Sequence, residues 1–378
     1  MYTIDDIDVF IMTHNRSIYL TETIECFLRQ TVRPKFFTVL DNESTDDTEQ
    51  IVTGYKNQGV KYFKTYSRPG NFLKGKELAS KEFSVLCHDD NLIHPQFFER
   101  MLLGLNAVKD VAGIACSYDF FSSDASDIKD PVKDMEKNLG SSTELNKSFL
   151  IYENWMDFCR NNILAETYPW PKTSPASPVL IYKTDILKHR TDMVPVYGKA
   201  DDLFLYKTIL QHGKFVLLQD PRALLIRQHK LRDFYTDDNS LSLEQCVNWI
   251  SIYTEEMNKN TCGDLWLRFW EMVYYLYPIL AKKTLTAERD YKNFCAYLIE
   301  KGIVSDEGKR FYSLFPKKLQ EIQKLLSLSA PVANKKVSFI EKLFSVRNER
   351  NPNGKKRKIL RLFGLKICLG VKKRKDHV

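Results

Sequence analysis

The sequence predicts an α/β fold with a sheet flanked by helices, followed by a helical C-terminal extension and a basic amphipathic tail. Short apolar, β-rich segments alternate with helical segments over the first 120 residues, which is typical of a largely parallel sheet covered by helices. From about residue 240 the pattern becomes helical and rich in aromatic residues. A chain of 378 residues has room for such an extension beyond one ordinary domain.

The first half of the chain contains five predicted strands and four predicted helices. The apolar, β-rich segments are Ile7–Thr13, Phe36–Leu40, Val60–Tyr66, Phe83–Cys87 and Val111–Phe121. The helical segments between them are Ser17–Gln30, Thr45–Tyr55, Phe72–Lys81 and Pro95–Lys109, the last with proline at its start. Strand and helix therefore alternate in the order expected of repeated βαβ units.

The second half is less regular. Ser122–Leu145 is polar and is interpreted as a loop, and the four prolines of Tyr168–Pro178 exclude a regular helix there. Further strands are predicted at Val179–Tyr182, Phe215–Gln219 and Ala223–Arg227, and a helix at Asp201–His212. The domain boundaries predicted from these changes are 1–235, with halves at about 1–120 and 121–235, then 236–330 for the helical extension and 331–378 for linker and tail.

The net charge of +8 is concentrated in the tail. Residues 355–375 hold ten Lys or Arg and no acid, and with Asp376 residues 355–378 carry +9, which leaves 8 − 9 = −1 for the rest. A nearly neutral body disfavours nucleic acid as a partner, because phosphate neutralisation needs a basic face. Large apolar residues interleave the basic ones, which predicts contact with an anionic membrane surface through 355–378. A solvated tail and a small terminal hairpin are the alternatives.

The location expected from the sequence is cytoplasmic, peripheral on the inner face of the plasma membrane. No run of about 18 apolar residues occurs, so no membrane-spanning helix is predicted. The acidic segment Met1–Asp8 lacks the basic start of a signal peptide.

Three predicted strands end in polar clusters. These are Thr13-His14-Asn15-Arg16, Asp41-Asn42-Glu43-Ser44 and His88-Asp89-Asp90. Each cluster alone has the composition of an ordinary turn or cap. Together they place two groups of carboxylates at one edge of one sheet, where ligands of open α/β sheets bind. Because paired carboxylates repel each other, a hard divalent cation is expected between them.

The order and spacing of these motifs resemble glycosyltransferase family 2, whose enzymes have the GT-A fold, a Rossmann-like mixed sheet flanked by helices. The segments that carry the resemblance are VFIMTHNR, TIECFLRQT, FFTVLDNESTDDT and SKEFSVLCHDDN. It covers roughly residues 5–120 well and continues more thinly through PVLIYKTDIL and GKADDLFLYKTILQHGKFVLL to His229.

The resemblance implies donor-binding roles for the first two clusters. Thr13, His14 and Asn15 would line the base and ribose of a nucleotide-sugar, although His14 stands where an aromatic residue is usual. Arg16 is a further candidate for nucleotide-sugar binding. Asp41 would accept a hydrogen bond from the imide N–H of a pyrimidine, which favours UDP- or dTDP-sugars.

The third cluster corresponds to the family's Asp-x-Asp motif, with His88 in its first position. Asp89 would contact the ribose or the sugar, and Asp90 would bind Mg²⁺ or Mn²⁺ that bridges the diphosphate. Lys74 and Lys76 are weaker candidates for diphosphate contacts, with exposed helix lysines as the alternative. His229, in an Arg-x-His segment, would complete the metal or diphosphate site.

The general base is implied by Ala200-Asp201-Asp202-Leu203, which resembles the family's Glu-Asp signature beside the acceptor. In this alignment Asp202 is the base and Asp201 takes the position of the glutamate; a shift of one residue reverses the roles. Inverting transfer needs one carboxylate to take the proton of the acceptor hydroxyl. The alternative is that either aspartate only caps a helix.

The predicted function is an inverting, metal-dependent glycosyltransferase of hexosyl or N-acetylhexosaminyl type. It would move a sugar from a UDP-sugar to a glycan or lipid-linked acceptor in bacterial surface polysaccharide synthesis. One alternative is a degenerate GT-A domain that binds nucleotide-sugar or glycan without catalysis. The other is a nucleotidyltransferase, although Thr13–Tyr19 lacks the Gly-rich phosphate loop that such an enzyme needs.

Overall fold

The structure is a computed structural model. It describes residues 1–66, 70–140, 144–163, 179–189, 201–229, 243–259, 263, 265–280, 288–315, 344–350, 356–362 and 365–371. Predictions that concern 168–178 and the linker after residue 331 therefore lie largely outside the described residues.

An eight-stranded mixed sheet is the centre of the fold, with strand order β3-β2-β1-β4-β9-β6-β10-β8. Its strands are β1 (Ile7–Thr13), β2 (Phe37–Asn42), β3 (Val60–Thr65), β4 (Phe83–His88), β6 (Val111–Cys116), β8 (Phe149–Tyr152), β9 (Ile181–Lys183) and β10 (Lys214–Leu218). The strands β1 to β4 are mutually parallel, β9 is antiparallel to both its neighbours, and β8 is an antiparallel edge. The mixed sheet predicted from the sequence is thus confirmed.

A small second sheet has the order β5-β11-β7, from β5 (Leu92–Ile93), β11 (Leu224–Gln228) and β7 (Asp119–Ser122). The strand β5 follows β4 by only a few residues, and β11 pairs antiparallel to it with Leu224 opposite Ile93. This pairing brings the end of β11 next to the segment that follows β4.

Helices flank the main sheet and continue beyond it. They are α1 (Ser17–Leu28), α2 (Thr48–Gly54), α3 (Gly70–Leu78), α4 (Phe97–Ala107), α5 (Pro131–Leu139), α6 (Trp155–Ile163), α7 (Thr184–His189), α8 (Asp201–His212), α9 (Leu243–Lys259), α10 (Leu265–Leu280) and α11 (Glu288–Glu300). The helix α1 buries Leu20, Ile24 and Phe27 against the sheet, where they join Val9, Ile11 and Val39 in one apolar core. Burial of such side chains contributes about 1.5–3 kcal/mol each.

Two predictions for the middle of the chain are wrong. Residues 122–145 do not form one loop, because they contain α5, which begins at the cap Asp130 and Pro131 and ends at Gly140. Val132, Met135 and Leu139 recur at helical spacing, and Met135 and Leu139 pack on the core, but the pattern is short and lies within a polar segment. The single strand predicted at Val111–Phe121 is two strands, β6 and β7, which belong to different sheets.

The chain divides into two compact units. The first comprises residues 1–162, 172–256 and 279–284, and the second comprises 163–171, 257–278 and 285–378. In the second unit α10 contributes the fully buried Trp266 and Trp270, and the Trp270 indole donates to the Gly308 carbonyl oxygen at 2.9 Å. The predicted boundaries near residues 235 and 330 stay a prediction.

The basic tail contains a three-stranded antiparallel sheet with the order β12-β13-β14, where β12 is Phe344–Arg350, β13 is Lys356–Leu362 and β14 is Leu365–Val371. Its register groups apolar positions together: Leu360 pairs with Val346 and Ile367, and Leu362 pairs with Phe344 and Leu365. The separation is incomplete, because Arg361 pairs with Ser345 and Lys366 but Ile359 pairs with Arg347 and Cys368. The segment predicted as a basic amphipathic tail is therefore made of strands in which basic and apolar positions are only partly segregated. No helix among the described residues is long and apolar enough to cross a membrane.

Candidate active site at one edge of the main sheet

The parallel strands β1, β2 and β4 end side by side, and their polar clusters meet there. Thr13 at the end of β1 is in register with Asp41 on β2, and Met12 is in register with His88 on β4. The carboxyl ends of adjacent parallel strands form the crevice in which open α/β sheets bind ligands. The structure therefore brings the three predicted clusters to one edge.

Asp89 is anchored in this crevice by two donors. Its Oδ2 accepts a hydrogen bond from Thr13 Oγ1 at 2.6 Å, and its Oδ1 lies 3.2 Å from Arg16 Nη1. Burial and the neighbouring Asp90 carboxylate raise the pKa of Asp89 to about 6, although Arg16 and Thr13 lower it in part. The Asp89 carboxyl is therefore harder to ionise than an exposed aspartate, because burial and the Asp90 charge outweigh the contacts with Arg16 and Thr13.

Asp90 lies between a guanidinium and an imidazole. Its Oδ2 is 3.3 Å from Arg16 Nη1 and 3.1 Å from His229 Nε2. Asp90 and His229 are 3% and 4% exposed, so both approach the crevice from within the protein. The Arg16 side chain touches both carboxylates and supplies the positive charge that offsets their repulsion.

The pair Asp90 and His229 fits a divalent cation. Their 3.1 Å separation matches the roughly 3 Å between neighbouring ligands of an octahedral ion with bonds of about 2.1 Å. No cluster of three or more potential Asp, Glu, His or Cys ligands occurs among the described residues. Two protein ligands are nevertheless what such an ion takes when substrate phosphates and water complete its shell.

Asp41, the residue predicted to contact the nucleotide base, is almost completely buried. It is 1% exposed, its Oδ1 accepts from the Ser44 backbone N–H at 3.0 Å, and its Oδ2 accepts from the Tyr62 hydroxyl at 2.7 Å. Burial and the neighbouring carboxylate raise the pKa of the Tyr62 hydroxyl, so it remains a donor. Asp41 thus fixes the turn after β2 as well as facing the crevice edge.

The turns after β1 and β2 are joined to each other. His14 Nδ1 lies 2.6 Å from the Asn42 carbonyl oxygen, and Asn15 Oδ1 accepts from the Thr45 backbone N–H at 2.7 Å. Asn15 and Glu43 both adopt left-handed backbone conformations, with φ of 52° and 57°. His14 and Asn15 are exposed at the mouth of the crevice.

The remaining candidates lie on α3, at the end of β4 and at the start of α8. The Lys74 ammonium on α3 pairs with Glu77 at 2.7 Å and lies over the Phe63 ring, and Lys76 follows on the same helix. His88 is exposed at the end of β4. Asp201 and Asp202 are the first two residues of α8, and their side chains lie outside the described part of the structure.

A layer of residues behind the crevice was not predicted from the sequence. Thr23 Oγ1 on α1 lies 2.9 Å from the Asp89 carbonyl oxygen, and Arg227 Nε donates to the Asp90 carbonyl oxygen at 3.1 Å. Glu22 accepts a hydrogen bond from Arg227. The sequence contains one indication of a buried charge, because Glu22 falls within the apolar stripe of α1 between Tyr19 and Cys26. Its partner lies 205 positions away and cannot be read from local pattern.

Comparisons with known proteins identify a family match and a shared fold. Residues 8–156 match the family model described as glycosyl transferase family 2. TarS residues 1–349 from S. aureus, solved in complex with UDP-GlcNAc, superimpose with a TM-score of 0.54 at 16% identity, over 81% of this chain and 83% of that one. No curated protein sequence matches significantly.

Two further solved structures are similar to the chain with lower scores. The same S. aureus fragment in complex with UDP gives a TM-score of 0.49 at 14% identity, over 93% of this chain and 96% of that one. Mannosyltransferase PcManGT from Pyrobaculum calidifontis, in complex with GDP-Man and Mn²⁺, gives 0.41 at 13% identity, over 82% and 83%. The family match and the first superposition together confirm the GT-A-type fold and the family resemblance.

Proposed function

We propose that the protein transfers a sugar from a UDP-sugar to a glycan or lipid-linked acceptor with inversion at the anomeric carbon, because residues 8–156 match the family model of glycosyl transferase family 2. The observation that carries the proposal is the crevice in which Asp89 and Asp90 meet Thr13, Arg16 and His229. Two buried carboxylates beside one another are costly unless a cation or substrate uses them.

Donor binding is assigned to the crevice edge. Thr13, His14 and Asn15 hold the base and ribose, and Asp41 accepts the pyrimidine imide N–H. Arg16 and His88 lie where the diphosphate and sugar are expected, and Lys74 is a more distant contact. TarS, which has the same fold, is in complex with UDP-GlcNAc in its crystal structure, and this is compatible with a uridine nucleotide here.

Asp90 and His229 would hold the divalent cation. An imidazole nitrogen is a softer ligand than Mg²⁺ usually takes, so Mn²⁺ fits the pair better. When bound, the cation supplies positive charge that offsets the negative charge growing on the leaving diphosphate. Arg16 is already placed beside both carboxylates and adds to that charge.

Transfer itself is assigned to the start of α8. The acceptor oxygen bonds to C1 of the sugar as the bond from C1 to the diphosphate oxygen breaks, and UDP leaves with the bonding pair. Asp202 takes the acceptor proton as general base, with Asp201 preceding it on the helix. A lipid-linked acceptor in surface polysaccharide synthesis would bring the protein to the inner face of the membrane, where the basic sheet of the tail would bind anionic lipid.

The test needs no knowledge of the acceptor. UDP, CDP and GDP are titrated into the full-length protein by calorimetry with and without Mn²⁺, and UDP release from UDP-sugars is measured as slow donor hydrolysis. We expect UDP to bind tightest, in a Mn²⁺-dependent manner, and one UDP-sugar to be hydrolysed. Tighter binding of GDP contradicts the uridine assignment. Binding without hydrolysis or transfer supports a degenerate domain, and pyrophosphate release from UTP supports a nucleotidyltransferase.

A further inference from the structure

A fully buried ion pair lies directly behind the carboxylate crevice. Glu22 on α1 accepts a hydrogen bond from the guanidinium of Arg227 on β11, and both side chains are 0% exposed. Taking two charges out of water is expensive, and well-packed apolar residues in the same place are often as stable or more stable. A contribution to the stability of the fold therefore does not explain why this ion pair is buried here.

The Arg227 guanidinium lies over two aromatic rings. Its central carbon lies 4.8 Å from the ring centre of Tyr19 and 4.5 Å from that of Phe121. The Tyr19 ring also packs on His229, with ring centres 4.6 Å apart. The hydrogen bond to Glu22 and the contacts with both rings together restrict the direction in which the remaining N–H groups of Arg227 point.

One of those groups points at the proposed metal segment. Arg227 Nε donates to the carbonyl oxygen of Asp90 at 3.1 Å, and the Arg227 backbone N–H donates to Asn91 Oδ1 at 3.3 Å. Two residues further along the chain, His229 places Nε2 3.1 Å from Asp90 Oδ2. Arg227 therefore holds the backbone of one proposed ligand and belongs to the same short segment as the other.

We propose that the Glu22–Arg227 pair is a positioning device that fixes the Asp90 carboxylate and the His229 imidazole at the spacing a divalent cation needs. Glu22 touches neither ligand and acts only through Arg227. The proposal rests on the proposed function, because it assigns Asp90 and His229 to the cation. Residues that orient metal ligands from behind typically change metal affinity by about 10–100-fold when replaced.

The experiment compares a double variant with the full-length wild-type protein. Glu22→Leu combined with Arg227→Met removes both charges and keeps similar volume, so the fold should persist, as thermal unfolding and circular dichroism will show. Mn²⁺ binding in the presence of UDP is measured from the loss of the free-Mn²⁺ electron paramagnetic resonance signal. We expect binding weaker by about 10–100-fold in the double variant.

Two single variants separate positioning from simple charge balance. Arg227→Lys keeps the positive charge but loses the planar fork that reaches Asp90, so it should weaken Mn²⁺ binding about as much as the double variant. Arg100→Met is the matched control, because Arg100 is also buried but hydrogen-bonds to Glu99, Glu144 and Leu145. It should leave Mn²⁺ binding unchanged.

The outcomes distinguish this inference from the function on which it rests. If wild type binds UDP and Mn²⁺ together, and Arg227→Lys or the folded double variant binds them equally well, the positioning role is overturned and the proposed function stands. If wild type binds no Mn²⁺ with UDP, the metal assignment fails, and the positioning role fails with it. Should the double variant not fold, Arg227→Lys decides by the same measurement.

Discussion

Asp89 and Asp90 are neighbours in sequence with different surroundings. Asp89 is engaged by Thr13 and Arg16 on its two oxygens, whereas Asp90 shares Oδ2 with Arg16 and His229. Hydrogen bonds to Asp89 hold the turn, while the carboxylate of Asp90 lies beside a second ligand suited to a metal. The two residues are therefore expected to respond differently to the same substitution.

Asp90→Asn should abolish the Mn²⁺-dependent part of UDP binding, because the neutral amide is a poor ligand for a hard cation. Asp89→Asn is the matched control: its amide oxygen can still accept from Thr13, so a smaller loss is expected. Calorimetric titration of UDP with and without Mn²⁺ measures both. Undiminished transfer by wild type in excess EDTA would show that no metal is needed.

Asp202→Asn should reduce the rate of sugar transfer by about 10²–10⁴-fold, because the amide cannot take the acceptor proton. UDP affinity should be unaffected, since the base faces the acceptor. Asp201→Asn is compared in the same transfer assay. If Asp201→Asn abolishes transfer and Asp202→Asn leaves it unchanged, Asp201 is the general base instead of Asp202.

At the scale of elements, α1 and β11 contact each other through the buried ion pair of Glu22 and Arg227, whereas buried contacts between elements are usually apolar. Burial raises the pKa of Glu22 to about 7, Arg227 lowers it in part, and Asp134 raises it further. One carboxylate oxygen of Glu22, Oε1, has no hydrogen-bond partner among the described residues, which adds to the cost of ionisation. The contact between the two elements is therefore sensitive to pH.

Because the folded protein binds the Glu22 proton more tightly than the unfolded chain, this residue should make the free energy of unfolding fall as pH rises from 4.5 to about 7. The fall amounts to up to about 3 kcal/mol, from 1.36 kcal/mol per pKa unit. Glu22→Gln cannot titrate and should lack this part of the slope. Urea unfolding of both proteins at intervals from pH 4.5 to 8 measures it; parallel curves would contradict the assignment.

At the scale of the whole molecule, basic charge is separated from the proposed chemistry. The body is nearly neutral, and ten of the basic residues lie in 355–375, across β13, β14 and the residues that follow. Basic and apolar residues are interleaved in this small sheet, where Leu360 pairs with Ile367 and Arg361 pairs with Lys366. A segment of this composition suits contact with anionic lipid.

We expect the full-length protein to sediment with anionic vesicles and not with neutral ones, and to be released by high salt, since the attraction acts within about 8 Å at physiological ionic strength. Deleting 355–378 should abolish binding, but it also leaves β12 without β13. A gentler variant replaces the four basic residues after β14 with glutamine, namely Lys372, Lys373, Arg374 and Lys375. Equal binding to both vesicle types, or full binding by the truncated protein, would contradict electrostatic anchoring by the tail. The catalytic assignments would be unaffected, because they concern residues before 230.

Local pattern was sufficient to predict β1 to β4 and α1 to α4. Burial on both faces makes β1, β2 and β4 continuous apolar runs, and β1 matches its predicted limits of Ile7–Thr13. The polar residues that end these strands are adjacent in sequence, so the Asp89-Asp90 motif and its neighbours were visible without a structure. The parallel direction of these strands then follows from the βαβ alternation.

Only the tertiary structure decided which distant residues join that motif. His229 and Arg227 reach Asp90 because β11 pairs with β5, and Glu22 meets Arg227 across 205 positions. The split of 111–121 into two strands has the same origin, since β7 pairs with β11 instead of continuing in the main sheet. Periodicity reports the burial of one segment at a time, whereas these contacts depend on which segments pair, and pairing is set by the packing of the whole domain.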